Sequence, residues 1–310
     1  MTTEAVARDA AREAVPRRSA GGAVDLIRLA RPIQWSKNAL AVPLVLAAGA
    51  PWSGANLLRV AWAVLVFCLA SSLIYILNDI ADRELDRDHP AKRDRPIASG
   101  RVSVPAARLY AASLGVALGI AAVVASSIPW WPLYLYVALN LAYSRWLKHV
   151  PLLDICVVSA GFGLRAVQGY AATGTPVSGW MLVAVLAACL MLIVGKRRHE
   201  LATVGSSHRP ALRGYNVALA DQLLTINAVL ATVALLLYVR FDAPVGDLRV
   251  ALSGVVAPLA LFGLFRYLQS VLVRHQGGDP VWTLLSDRVL VADAVLLATV
   301  LIVTTALPGS

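Results

Sequence analysis

The chain has 310 residues, 58% of them hydrophobic and only 15% charged, with a mean hydropathy of +0.68. A soluble globular domain is about one quarter charged, so this composition excludes an ordinary soluble fold, a disordered chain and a secreted disulfide scaffold. The formal charge of +10, from 28 basic and 18 acidic residues, reads in so apolar a chain as a membrane topology signal rather than a nucleic-acid surface. Cys68, Cys156 and Cys189 all sit inside apolar runs without paired or zinc-ligand spacing, and read as packing or lipid-facing residues.

Residues 1–23 form a polar, Ala/Arg-rich tail with no apolar h-region, which argues against a signal peptide and for a disordered arm. Residues 24–310 read as a single transmembrane catalytic domain. About 20 apolar residues cross a bilayer core. Nine runs approach that length, near 32–50, 58–78, 107–127, 129–145, 151–172, 179–195, 221–239, 250–273 and 288–307. The connections on one side of this arrangement carry 24 of the 28 Lys and Arg residues. That asymmetry predicts a cytoplasmic N-terminus and an external C-terminus in the cell membrane. Trp52, Trp130, Trp131 and Trp180 then mark the outer interface, and Trp35 and Trp146 the inner one.

The two longest connections, near 79–106 and 196–220, are both charged and both on the cytoplasmic side. Loops of this length in a compact protein are usually functional. The first begins NDIADRELDRDHP. On a helix, Asp79, Asp82 and Asp86 fall within about 60° of one another, with Asn78 adjacent. Three carboxylates on one stripe repel and require a counter-charge, which Mg²⁺ supplies while keeping coordination positions for phosphate oxygens. The competing reading is a solvated helix in which the interleaved Arg83 and Arg87 pair with these aspartates. Lys92, Arg93, Arg95 and Arg101 follow in a turn region shaped by Pro90, Pro96 and Gly100. An acidic stripe followed by a basic loop suits a metal-bridged diphosphate, with guanidinium groups on the remaining oxygens. Topology signalling alone would also place basic residues there.

Asp154 and Arg165, 11 residues apart, return to one helix face within roughly 20°, a stripe that includes Gly161. Charges inside a span face a bundle interior or a watery cavity. A structural Asp–Arg pair and a substrate contact are equal readings here. Tyr143 and Lys148, at the cytoplasmic end of the fourth span, join the same set.

NDIADRELD resembles the aspartate-rich signature of the UbiA superfamily of intramembrane prenyltransferases. Its continuation RDHPAKRDRPIASG, with RPIQWSKN (31–38), YSRWLKHVPLLDI (143–155), GFGLRAVQG (161–169), GKRRHEL (195–201) and RYLQSVLVRHQGGDPVWTLLSDRVL (266–290), is similar to the decaprenyl-phosphate phosphoribosyltransferase branch. The resemblance covers about 31–300. It implies an all-α, polytopic membrane protein, nine transmembrane helices in a bundle with a cytoplasm-facing central cavity. It further implies transfer of a 5-phosphoribosyl group from phosphoribosyl diphosphate to a polyprenyl phosphate, with Mg²⁺ held by Asn78, Asp79, Asp82 and Asp86. Lys37, Asn78, Lys92, Arg93, Arg95, Tyr143, Lys148, Asp154, Arg165, Lys196, Arg197 and Glu200 are the implied substrate-binding residues. Aromatic prenyltransferases of the superfamily carry a second aspartate-rich motif where this chain has GKRRHEL. The substitution of cations for carboxylates favours direct binding of phosphate groups. Prenyl transfer from a prenyl diphosphate to an aromatic acceptor is the alternative reaction, and a transporter the alternative class. The expected partners are the two substrates and membrane lipids, with no nucleic acid; self-association is compatible with the sequence.

Overall fold

The computed structural model describes residues 22–89, 92–203 and 210–306. The expected tail, apart from its last two residues, lies outside the described residues, as do Pro90 and part of the second charged connection. Among the described residues every regular element is helical. They divide into two compact units within the stretch expected as one domain. The first takes the described parts of Met1–Gln34 and Leu69–Gly119, the second those of Trp35–Cys68 and Ile120–Ser310.

The first unit is built from α1 (Ala23–Ala30), the latter part of α4 (Gly54–Ala81), α5 (Arg83–Asp88) and the start of α6 (Val104–Val124). Leu29, Ile76, Ile97, Val102, Ala107 and Ala111 form its apolar core, so α1, α4, the turn segment and α6 all contribute to one cluster. Ser72 on α4 donates its hydroxyl to the Ala30 carbonyl at 2.8 Å, satisfying a group that the end of α1 leaves open. Between α5 and α6 the chain runs as successive turns, as Pro96 and Gly100 predict. Arg95 N donates to Lys92 O, Ser99 N to Arg95 O and Gly100 N to Ile97 O. Gly100 takes the left-handed φ of 75° that a side chain would resist.

The second unit holds α2 (Ser36–Ala41), α3 (Leu44–Ala47), the first part of α4, the end of α6, α7 (Trp131–Arg145), α8 (Leu153–Thr173), α9 (Gly179–Thr203), α10 (Val217–Leu237), α11 (Arg249–Leu272), α12 (Pro280–Ser286) and α13 (Arg288–Ala306). A core including Ile155, Val194, Leu212, Leu224, Tyr267, Val271 and Leu290 draws α8 to α11 and α13 together. α9 packs most extensively on α10 and then on α8. Gly169 on α8 lets the backbone of α2's C-terminal end come close, because a Cβ there would run into the Val42 carbonyl oxygen.

Among the described residues six helices are long and apolar enough to cross a membrane: Gly54–Ala81, Val104–Val124, Leu153–Thr173, Gly179–Thr203, the Val217–Asp242 helix and Gly246–Leu272. Of the other three expected spans, two differ. The run 32–50 is not one helix: a 3-10 turn (Pro32–Trp35) leads into α2, which stops at Val42 because Pro43 has no N–H to continue the ladder. α7 has 15 residues, about 22 Å at the usual rise and shorter than the hydrocarbon core. α13 has 19. α9 also runs eight residues past the expected 195, so Lys196 to Glu200 lie on a helix rather than in a loop. Trp130, expected at the outer interface, is buried, and its indole N–H donates to the carbonyls of Ala122 and Ala125. The cysteines are free, Cys68 buried and Cys156 exposed.

Gly169→Ala should lower the thermal unfolding midpoint in detergent by the equivalent of about 2–3 kcal/mol, the usual cost of overpacking. Gly115→Ala, where an added Cβ meets nothing within 4 Å, should leave it unchanged or raise it.

Candidate active site

In the first unit the helix carrying the aspartate stripe is interrupted once. α4 ends at Ala81, Asp82 leaves helical geometry (φ −92°, ψ 7°), and α5 begins at Arg83. The hydrogen-bond ladder nonetheless bridges the break: Asp82 N donates to Asn78 O at 2.8 Å and Asp86 N to Asp82 O at 2.9 Å. Register is thereby kept, and Asp79 and Asp86 reach the same place. Arg95 Nη1 lies 3.0 Å from Asp79 Oδ1 and 2.7 Å from Asp86 Oδ2. Arg31 Nη2 lies 2.6 Å from Asp79 Oδ1, and Lys92 Nζ 3.8 Å from Asp86 Oδ1. The aspartate side chains are 3% exposed, whereas those of Arg31 and Arg95 are 26% and 28% exposed. Arg31 also stacks over the Tyr75 ring at 4.9 Å.

The counter-charges of Asp79 and Asp86 are thus not the interleaved arginines. Arg83 and Arg87 both donate to Glu84, at 2.8 Å each, and Arg87 also to the Ala98 carbonyl at 3.1 Å. Asn78 and Asp82 are half-buried. Arg93 is exposed. Arg101 donates to buried Asp25 of α1 at 3.1 Å and to the Asp94 carbonyl, tying the basic turn segment to α1. Among the described residues, no group of three His, Cys, Asp or Glu side chains is arranged as a metal site. Two buried carboxylate oxygens do converge on one point, the position of Arg95 Nη1. An all-oxygen pair of this kind fits a hard divalent cation better than a soft one.

In the second unit Asp154, at the start of α8, is fully buried. Arg197 Nε donates to its Oδ2 at 2.9 Å, and the Tyr215 hydroxyl to its Oδ1 at 2.7 Å. Arg197 Nη1 binds Glu200 Oε2 at 2.6 Å, one turn along α9. Tyr215 in turn accepts from Leu152 N at 2.9 Å, which fixes the left-handed residue preceding α8 (φ 66°). Tyr143 lies within electrostatic range of Arg197, Asp154, Glu200 and Lys148. Arg198 turns away to Asp221 on α10 and to the Val271 carbonyl. Lys196, half-buried, has no hydrogen-bond or ion-pair partner among the described residues.

Asp154 and Arg165 do not pair. They are three turns apart on α8, and each meets a different set of neighbours. Arg165 donates to Asn38 Oδ1 (2.6 Å), the Gly161 carbonyl (2.8 Å) and the Tyr136 hydroxyl (2.8 Å), and lies over the rings of Tyr136 and Phe162. It is a buried cation held by neutral oxygens and π faces. Lys37 is half-buried on α2. Arg31 and Tyr215 are the functional candidates that the sequence reading did not single out. Arg31 lies in the quoted RPIQWSKN segment, but nothing local identifies Tyr215, 61 residues from Asp154.

The class of protein follows from comparison. A model of the UbiA prenyltransferase family matches residues 39–286, and the chain belongs to that family. It is 39% identical over 217 residues to the decaprenyl-phosphate phosphoribosyltransferase of Mycolicibacterium smegmatis, covering 66% of each chain. It is 38% identical over 204 residues to the protein of the same name from Corynebacterium glutamicum, covering 61% of this chain and 59% of that one. The chain therefore spans about three fifths to two thirds of the length of these relatives. The fold is similar to that of a UbiA homolog from Archaeoglobus fulgidus bound to GPP and Mg²⁺, with a TM-score of 0.68 and 16% identity, over 91% of this chain and 100% of that one. With its six long apolar helices, this makes the chain a multi-pass membrane protein.

Burial, followed by the hydrogen bond to Asp154, raises the pKa of the Tyr215 hydroxyl above its usual value of 10.0. A group shifted upward in this way stabilises the fold fully below that value and loses the contribution as pH rises beyond it. Tyr215→Phe should therefore be about 1–3 kcal/mol less stable at neutral pH. It should also show a shallower loss of stability than the parent above pH 10, measured by thermal unfolding across an alkaline series.

Proposed function

We propose that this chain transfers a 5-phosphoribosyl group from phosphoribosyl diphosphate to a polyprenyl phosphate of the decaprenyl type, releasing diphosphate. The observation that carries this reading is the pair of buried carboxylates, Asp79 and Asp86, converging on one point beneath two guanidinium groups. The names of the relatives choose the donor. Asn78, Asp79, Asp82 and Asp86 are the residues that would hold Mg²⁺. Bound there, the ion supplies Lewis-acid stabilisation of the charge that develops on the leaving diphosphate.

The chain's own residues do the rest. Arg31, Lys92, Arg93 and Arg95 offer N–H donors to diphosphate oxygens, which suits the planar, bidentate geometry of guanidinium. The ribosyl carbon becomes oxocarbenium-like as its bond to diphosphate breaks. The acceptor phosphate is already anionic, so the reaction demands no strong general base, and catalysis rests on positioning and charge cancellation. Lys196, uncommitted on a rigid helix, is the cation of the second unit best placed to take a phosphate. Arg197 is held by Asp154 and Glu200, and acts with Tyr143 and Lys148 to set the local field. Lys37 completes the proposed substrate-binding set, whereas Arg165, with each nitrogen engaged by Asn38, Gly161 or Tyr136, braces α8. The excess of basic residues on one side supports a cytoplasmic location for this chemistry at the cell membrane.

Prenyl transfer to an aromatic acceptor is the second reading, favoured by the GPP-bound fold neighbour. Purified, detergent-solubilised protein with Mg²⁺ should move label from radiolabelled phosphoribosyl diphosphate into decaprenyl phosphate. Label moving only from a prenyl diphosphate into an aromatic acid would overturn the proposal. Asp82→Ala should lower transfer by roughly a hundredfold or more while the protein still inserts and folds. It is preferred to changes at Asp79 or Asp86, which also carry the ion-pair chain. Parental activity in Asp82→Ala would remove Asp82 from the metal set.

A further inference from the structure

We propose that Arg95 occupies the place of the divalent cation, competes with it, and is released by it toward the diphosphate; this rests on the metal reading above. One nitrogen, Arg95 Nη1, touches two carboxylates that are seven residues apart, at 3.0 Å and 2.7 Å. Two carboxylates buried this deeply need a counter-charge whenever they are ionised. Arg95 supplies it, with Arg31 adding a second donor to the same Asp79 oxygen at 2.6 Å.

The exposure pattern gives the arrangement a direction. The carboxylates are almost inaccessible, whereas each guanidinium side chain is about one quarter exposed. A cation that bridges Asp79 and Asp86 must therefore take the position where Arg95 Nη1 sits. The backbone of Arg95 is fixed during such an exchange. Its N–H is bound to Lys92 O, its carbonyl accepts from Ser99 N and Oγ, and Pro96 follows. Only the side chain moves, and a displaced guanidinium on a fixed tether stays beside the ion. Its free N–H fork then faces any phosphate oxygen that arrives with the metal.

Competition and simple scaffolding predict opposite signs. If Arg95 only holds the carboxylates in place, its loss weakens cation binding. If it competes, its loss tightens cation binding while the metal-free protein becomes less stable. The measurement is Mn²⁺ titration of the detergent-solubilised full chain without any donor, followed by the EPR signal of free Mn²⁺. Arg95→Gln should bind Mn²⁺ about tenfold more tightly than the parent, the scale of one lost charge-assisted contact. Its metal-free unfolding midpoint should be lower, with the gap closing at saturating Mn²⁺. Arg31→Gln, which frees only Asp79, should tighten binding by a smaller factor, roughly threefold, and decides the matter if Arg95→Gln does not fold. Equal or weaker Mn²⁺ binding in these variants, with the parent binding normally, overturns the competition alone. Absence of Mn²⁺ binding in the parent overturns both the competition and the metal reading on which it rests.

Discussion

An ionised carboxylate cannot be taken out of water without a partner, and that constraint organises two charged clusters among the described residues. Asp79, Asp86 and Asp154 are all buried, and each is answered by arginine. The answers differ in kind. Around Asp79 and Asp86 the cations reach inward from partly exposed positions, so the charge balance can be exchanged. Around Asp154 the cation is itself buried, a tyrosine hydroxyl fills the other oxygen, and the backbone N–H of Leu152 closes the chain. The first arrangement suits a site that accepts ions, the second a scaffold that fixes where α8, α9 and the 3-10 turn at Pro210–Gly214 meet.

Arg165 is the converse case. A buried guanidinium is normally read as half of an ion pair, and its spacing from Asp154 invites that reading. It is held instead by an amide oxygen, a carbonyl, a hydroxyl and two ring faces. Each is individually weak, but together they engage every nitrogen of the group. This cation serves as a bracket between α8, α7 and α2 within the second unit.

Much of the fold was legible in the sequence, because hydropathy and charge asymmetry are local properties. The long helices fall where apolar runs do, and the aspartate stripe keeps helical register even through its break at Asp82. What failed was of two kinds. Averaged hydropathy hid the stop at Pro43, although the missing N–H was readable, and it ended α9 at the polar GKRRHE stretch, where the helix in fact continues. Partner choice was the other. Arg95 rather than Arg83 or Arg87 answers the stripe because the turn segment folds back onto it. Arg31 lies 48 residues from Asp79, and Tyr215 lies 61 from Asp154. Such pairings depend on which elements meet, and side-chain periodicity within one helix carries no information about that.

One feature of α1 has a cost of its own. The helix ends at Arg31 in left-handed backbone geometry, φ 51° and ψ 60°, a position where helices commonly place glycine. For an L-residue with a full side chain that geometry costs about 1–2 kcal/mol. Glycine would relieve the backbone but leave Asp79 with one cation fewer. The turn and the ion pair therefore pull the choice of residue in opposite directions. With arginine there, local backbone stability is given up for charge placement, and the same turn that ends the helix aims its guanidinium back at α4.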